Sequence, residues 1–165
     1  MREVLNIVPK NKSTGKKIVI GIWLALTIFC LAACIFITPF LFLIPMIIFG
    51  VIWYWQAFQT DIEYEYTYYA GDLKFALIKA KRKRKKIVFL DIENVMQIAP
   101  KGDRSVYKYE NDSSVSCKKL LSGKPDTRIY EVVYRDGDKV SRIEFEPEDD
   151  LLDAISVKYP RLVIK

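Results

Sequence analysis

A run of basic side chains is the part of the sequence whose composition most directly suggests a chemistry. Its members are Lys79, Lys81, Arg82, Lys83, Arg84, Lys85 and Lys86. Each basic residue held near an anionic lipid leaflet contributes about 1 kcal/mol to binding. We therefore expect the run to contact anionic phospholipid, and the alternative is a solvated hairpin that only sets membrane topology. A nucleic-acid partner is not expected, because no aromatic platform for stacking bases accompanies the run.

Residues suited to catalysis or metal binding are scarce. The chain has no histidine, which is the commonest general base and a frequent metal ligand. Cys117 therefore lacks a base to activate it, while Cys30 and Cys34 lie in an apolar segment. Four clustered carboxylates precede a predicted helix, where they complement its dipole better than they suggest a metal site: Glu146, Glu148, Asp149 and Asp150. We predict a protein without catalytic residues, cofactor or metal.

The position of the basic run relative to a membrane depends on an uncharged segment, residues 18–58. It contains no Asp, Glu, Lys or Arg and is roughly twice the 20 residues that one spanning helix needs. Thr38-Pro39 interrupts it near the middle, where proline opposes a continuous helix. The segment predicts a transmembrane hairpin of two helices, about 18–37 and 40–58. Pro45 falls inside the second helix, where a kink is tolerated.

Lysine and arginine lie on both sides of the hairpin and not in its turn. The leader, residues 1–17, contains Arg2, Lys10, Lys12, Lys16 and Lys17. The positive-inside rule then predicts a multi-pass protein of the cell membrane with both termini cytoplasmic. Trp53, Tyr54 and Trp55 are expected to anchor the inner membrane interface, or alternatively to pack between the helices.

The tetrapeptide Leu31-Ala32-Ala33-Cys34 permits a second interpretation of the first helix. A lipoprotein signal cleaved before Cys34 would place the domain that follows on the outer side of the membrane. However, a cleavable signal has an apolar core of about 7–15 residues, whereas here a further full span follows. We expect these small residues to pack against another helix instead.

Residues 59–165 show the two-residue alternation of β-strands. Strands are expected at 62–69, 73–78, 86–90, 128–134 and 139–145, with a tight turn at Asp136-Gly137. Residues 92–98 are expected to begin with a bend and to end as a short strand closed by Pro100. In 101–127, Val106, Tyr107, Tyr109, Val115 and Cys117 suggest one or two irregular strands. A helix is expected to begin at Pro147 and to end before Pro160. The prediction is an α+β membrane protein with six to seven antiparallel strands and a C-terminal helix.

This order resembles bacterial PH-like domains that follow paired membrane helices. The resemblance rests on three stretches: residues 64–72, where alternating tyrosines lead into a Gly-Asp turn, residues 85–95 with Asp91-Ile92-Glu93-Asn94-Val95, and residues 140–159. The chain is also similar to small bacterial membrane proteins with two helices and an Ile98-Ala99-Pro100 segment. The resemblance implies a PH-like antiparallel barrel or sheet. PH domains usually carry basic residues around the first hairpin, whereas here the run follows the second predicted strand.

Two functions are compatible with the sequence. The first is a membrane-anchored binding or scaffold protein that presents a PH-like domain at the cytoplasmic leaflet. It would contact anionic lipid through the basic run, or a protein partner through an exposed strand edge. The second is an accessory subunit of a larger membrane complex, recognised through small residues of the first helix: Gly21, Ala25, Ala32 and Ala33. The expected partners are the bilayer, anionic phospholipid, and another membrane protein or a second copy.

Overall fold

A computed structural model of the protein describes residues 3–59 and 61–165, so Arg2 of the predicted leader lies outside the described residues. The helices are α1 (Thr14–Phe36), α2 (Pro39–Tyr54, continued by a π-turn at Trp55–Gln59), α3 (Arg104–Glu110) and α4 (Asp149–Lys158). The strands are β1 (Val4–Pro9), β2 (Ile62–Tyr69), β3 (Asp72–Lys79), β4 (Lys83–Asp91), β5 (Val95–Pro100), β6 (Ser116–Leu120), β7 (Tyr130–Asp136) and β8 (Lys139–Phe145). A 3-10 turn, Ile92–Asn94, joins β4 to β5.

The apolar segment forms two helices that pack against each other, as predicted. Both are long and apolar enough to cross a membrane, Thr14–Phe36 and Pro39–Phe58. The chain breaks between them at Thr38, which has an extended backbone, and Pro45 lies within α2. Cys30 and Ala33 are the buried residues of α1, so Ala33 of the candidate lipoprotein signal serves helix packing. Insertion into a bilayer stays a prediction.

The predicted leader is corrected in one respect. Residues 4–9 form β1, which pairs antiparallel with β2 from Val4 opposite Tyr68 to Pro9 opposite Glu63. The leader therefore contributes a strand to the sheet that follows the helices, and both helices are an insertion between two neighbouring strands. Local alternation did not reveal β1, because its partner lies beyond the whole apolar segment.

Eight strands are present among the described residues, one more than the upper bound predicted. They form a first sheet in the order β1-β2-β3-β4 and a second sheet in the order β5-β7-β8-β6. The two sheets do not close into a barrel. Every pair within the first sheet is antiparallel, but β6 runs parallel to β8, which corrects the expectation of a wholly antiparallel fold.

Residues 101–127 differ from the prediction in their first half. Val106, Tyr107 and Tyr109 lie in α3 rather than in a strand. Asp103 caps this helix by accepting a hydrogen bond from the Ser105 N–H at 2.9 Å. The strand preference of valine and tyrosine is weaker than this local cap. The second half does form a strand, β6, which includes Cys117 as expected.

The core lies between the two sheets, and α4 packs against it. Tyr66, Phe75 and Phe145 meet edge to face with ring centroids 5.5–5.7 Å apart, a favourable geometry for aromatic pairs. The Tyr66 hydroxyl donates to the Leu120 carbonyl, and burial raises the pKa of Tyr66 far above its ordinary value. α4 buries Leu151, Leu152 and Ile155. It begins at Asp149, just after the predicted start at Pro147.

Candidate functional site

Three chain segments meet at one end of the first sheet. β1 ends at Pro9 just before α1, β2 begins at Ile62 just after α2, and Ile62 lies opposite Lys79 at the end of β3. We call this the helix-proximal end. The turn between β3 and β4, residues 79–83, also lies here and is called the basic tip. Pairing within the sheet therefore places the basic tip beside the junctions with both apolar helices.

The basic tip is hydrogen-bonded to the segment that connects α2 to β2. The Ala80 N–H donates to the Asp61 carbonyl at 2.8 Å, and the Arg82 N–H donates to the Lys79 carbonyl at 3.1 Å. Ala80 and Lys81 have φ angles of 50° and 55°. Residues with a Cβ rarely adopt this left-handed region, which costs roughly 1–2 kcal/mol per residue. The sheet thus holds a strained turn against the start of β2.

The seven basic residues of the run are all exposed, but they do not form a single surface. Lys81 and Arg82 lie beyond the ends of the strands. Lys85 lies opposite Leu77, whose side chain packs on the core, so Lys83 and Lys85 are on the core-facing side of β4. Arg84 and Lys86 alternate to the outer face. The run therefore surrounds the tip of a hairpin.

Arg84 differs from its neighbours because it has an acidic partner. Its guanidinium lies 2.9 Å from Glu65 Oε2, and the Glu65 side chain is only 7% exposed. Arg84 therefore neutralises a buried carboxylate on the outer face of the first sheet. Its charge is less available to an external ligand than the charges of Lys81 and Arg82.

Lysines of the leader join the same end of the sheet. Lys12 Nζ lies 2.8 Å from Asp61 Oδ1 and also donates to the Ala57 carbonyl. Lys10, Lys12 and Lys16 line a small groove beside Asp61 and Ile62. Sequence reasoning treated the leader and the basic run as separate features, because the pairing of β1 with β2 that brings them together was not recognised.

The three predicted interface anchors lie at the end of α2, next to the helix-proximal end. Tyr54 and Trp55 are 55% and 66% exposed. Trp53 is half-buried, and its ring lies edge-on to Phe58 with centroids 6.0 Å apart. The exposure of Tyr54 and Trp55 is compatible with a role at a membrane interface, which stays a prediction.

Comparison with known proteins agrees with this architecture. A family model described as Bacterial PH-like domain (DUF6106) matches residues 5–165. The chain belongs to this family. The match includes β1 from Leu5 onward, both apolar helices and the rest of the two sheets, and it confirms the resemblance inferred from sequence. No curated protein and no solved structure shows significant similarity to the chain.

A second group of charges in this PH-like protein lies on the outer face of the second sheet. Arg142 contacts Glu131 at 2.6 Å and Glu144 at 3.5 Å, and Lys101 contacts Glu144 at 3.0 Å. Glu131 and Glu144 are 0% and 1% exposed. We call Lys101, Glu131, Arg142 and Glu144 the buried charge cluster. Sequence reasoning missed it, because charges at alternate strand positions usually mark a solvent-facing surface.

The buried charge cluster is an unfavourable setting for thiol chemistry. Burial raises the pKa of Glu131, and the nearby Arg142 offsets only part of this effect. Cys117 Sγ lies 3.8 Å from Glu144 Oε1, and burial raises the pKa of the thiol. Since the thiolate is the reactive form, Cys117 is a poor nucleophile here. The basic tip remains the stronger candidate for a functional site.

Proposed function

We propose that this PH-like protein is a membrane-anchored binding or scaffold protein without catalytic activity. Its two apolar helices hold the first sheet at the cytoplasmic leaflet, with both termini in the cytoplasm. The basic tip contacts anionic phospholipid. The observation that carries this proposal is the position of the tip, where the Ala80 N–H bonds to the Asp61 carbonyl directly after α2.

This position keeps the tip near the bilayer without any cost of bringing two molecules together. A tethered site experiences a high effective concentration of its ligand, so weak contacts are populated. Within residues 3–59 and 61–165 no ion pair engages Lys81, Arg82 or Lys83. At about 1 kcal/mol for each basic residue near an anionic leaflet, these three side chains supply enough attraction to orient the domain.

Selective lipid retention by the full chain tests this proposal. The purified chain in mild detergent is offered equal amounts of phosphatidylglycerol and phosphatidylcholine, and native mass spectrometry measures the ratio bound. Wild type is expected to prefer phosphatidylglycerol. Replacing Lys81, Arg82 and Lys83 by Gln should reduce that preference at least about tenfold, given the contribution of each charge.

A matched variant controls for the loss of net charge. Lys108, Lys118 and Lys139 are exposed and lie outside the hairpin, so replacing all three by Gln removes the same charge and should leave the preference nearly unchanged. Equal losses in the two triple variants would show that the attraction comes from total charge. An unchanged ratio in the tip variant would refute the proposal.

The second candidate function, an accessory subunit of a membrane complex, is favoured by one feature of α1. Gly21, Ala25 and Ala32 are exposed, and a Cβ at Gly21 would meet no atom within 4 Å. Small residues let another helix approach closely. If this function holds, Gly21→Leu with Ala25→Leu should abolish co-purification of a membrane partner, whereas Ile22→Leu should not.

A further inference from the structure

In the described part of the chain, β1 and β4 are the two edge strands of the first sheet. The Lys10 N–H donates to the Ile62 carbonyl at 2.9 Å, so by alternation the even-numbered residues of β1 bond to β2. Leu5 and Ile7 therefore direct their N–H and C=O groups away from the sheet. The same alternation, followed across β2 and β3, directs the backbone groups of Phe89 outward from β4. Such edges are templates for a further strand.

Each edge strand has an exposed apolar side chain, and the two side chains belong to the same row of cross-strand neighbours. Leu5 pairs with Thr67, Thr67 with Lys74, and Lys74 with Phe89. These four residues form one row of cross-strand neighbours on the outer face, with Leu5 and Phe89 at its two ends. They are 49% and 56% exposed. A second copy that continues this row would place its Phe89 beside Leu5, where an aromatic and an aliphatic side chain pack favourably across strands.

The two edges carry opposite charge away from the helix-proximal end, where Lys10 and Lys12 follow β1. Two grooves of about 860 and 490 Å³ lie alongside β1. The described residues that line them include seven acidic and three basic side chains. The acidic wall at the start of α4 consists of Glu148, Asp149, Asp150 and Asp153. With Leu5 opposite Phe89, the facing edge of a second copy would bring Lys85 of its β4 level with Val8 and Pro9, beside Glu148 and Asp149. Two β1 edges or two β4 edges would instead bring like charges together.

Strand direction favours the same arrangement. β1 runs toward the helix-proximal end and β4 runs away from it. Two copies with their helices on the same side therefore present antiparallel β1 and β4 strands to each other, which is the pairing used throughout the first sheet. We propose that β1 of one copy pairs with β4 of a second copy, so that copies join side by side. This contact is heterologous and extends into rows or rings.

Pairwise cross-linking of the full chain in liposomes tests this contact. Natural cysteines are first replaced (Cys30→Ala, Cys34→Ala, Cys117→Ala), and Leu5→Cys or Phe89→Cys is then introduced in separate proteins. A mixture of the two should form a disulfide-linked dimer under mild oxidation, because hydrogen-bonded pairs lie within disulfide reach. Each protein by itself should not. Equal cross-linking of Leu5→Cys by itself would overturn the proposal, as would the absence of a mixed dimer.

Charge reversal supplies a second, independent measurement. One variant carries Lys85→Glu, and the other carries Glu148→Lys and Asp149→Lys. When the Leu5→Cys and Phe89→Cys proteins both carry the same charge reversal, the yield of disulfide-linked dimer should fall about tenfold or more, since like charges now meet. When the Phe89→Cys protein carries the first variant and the Leu5→Cys protein carries the second, the yield should be restored. Failure of the mixture to recover would contradict the proposed pairing. Because restoration depends on the mixture, this result is distinct from any loss of lipid binding.

Discussion

The basic tip and the buried charge cluster are two groups of ionised side chains with opposite organisation. The tip collects cations that follow one another in sequence and remain exposed around a hairpin. The cluster assembles Glu131, Arg142 and Glu144 from two strands and buries both carboxylates. Charges of the first kind are available to an external ligand, whereas charges of the second kind are paired with each other.

A high density of charges in the sequence therefore does not indicate a large contribution to the stability of the fold. Exposed charges contribute little to stability, since water and salt screen them. A buried ion pair need not stabilise the protein overall, but removing one partner leaves an uncompensated charge. We expect the cluster to govern stability and the tip to govern recognition.

Removal of Arg142 should have the largest effect. Arg142→Ala leaves Glu131 and Glu144 without their shared cation, and the free energy of unfolding should fall by about 3–5 kcal/mol. Arg82→Ala at the tip should change it by less than about 0.5 kcal/mol. Chemical unfolding of the full chain in detergent, followed by circular dichroism, measures both. Similar losses in the two variants would remove the distinction between the regions.

Arg84 tests the boundary of the comparison, because it belongs to the basic run but pairs with a buried carboxylate. Arg84→Ala should lower the free energy of unfolding by about 1–2 kcal/mol, as Glu65 loses a charged partner. Lys86→Ala, which removes a neighbouring cation, should be close to neutral. If both variants are neutral in the same unfolding assay, Arg84 belongs functionally with the tip.

Glu131 should make the stability of the second sheet depend on pH. Its pKa is raised by burial above the ordinary value of 4.5, so the folded state holds the proton to higher pH than the unfolded state. The resulting stabilisation is complete below pH 4.5 and is lost as pH rises through the folded pKa. Melting temperature should therefore fall over this window in wild type and vary less in Glu131→Gln. Glu148→Gln, at an exposed position, should keep the wild-type slope.

The smallest effect is expected at the strained turn of the tip. Ala80→Gly removes the Cβ at a φ of 50° and should stabilise the protein by up to about 1 kcal/mol, because relief of strain exceeds the entropic cost of glycine. Ala76→Gly, at a position of β3 that has no positive φ, should destabilise it. Destabilisation by Ala80→Gly would show that the turn carries no strain.

Sequence patterns predicted the elements whose signals are local. The uncharged segment with Thr38-Pro39 predicted two helices, and the Asp136-Gly137 turn predicted the β7–β8 hairpin, which the structure contains. Features that depend on distant pairing were missed. β1 needed a partner from beyond both helices, and β6 pairs in parallel with β8. No local period encodes either contact.

The candidate site was predicted in the same uneven way. Composition identified the seven basic residues, but only the register of β2 with β3 places them beside the helix junction. The ion pair of Arg84 with Glu65 was also invisible, because both lie on strand positions that read as solvent-facing. Asp103 before Ser105 was a signal for α3 that could have been found, since an aspartate two residues ahead of a serine N–H is a common cap.

The insertion of both helices between β1 and β2 has a consequence for biosynthesis. The ribosome releases residues 4–9 before the apolar segment and residues 62–69 after it. β1 therefore has no partner strand during synthesis until both helices and β2 have followed it. Completion of the sheet thus requires the two helices to bring the chain back to β1, so the first sheet can form only after the segment that it encloses has folded.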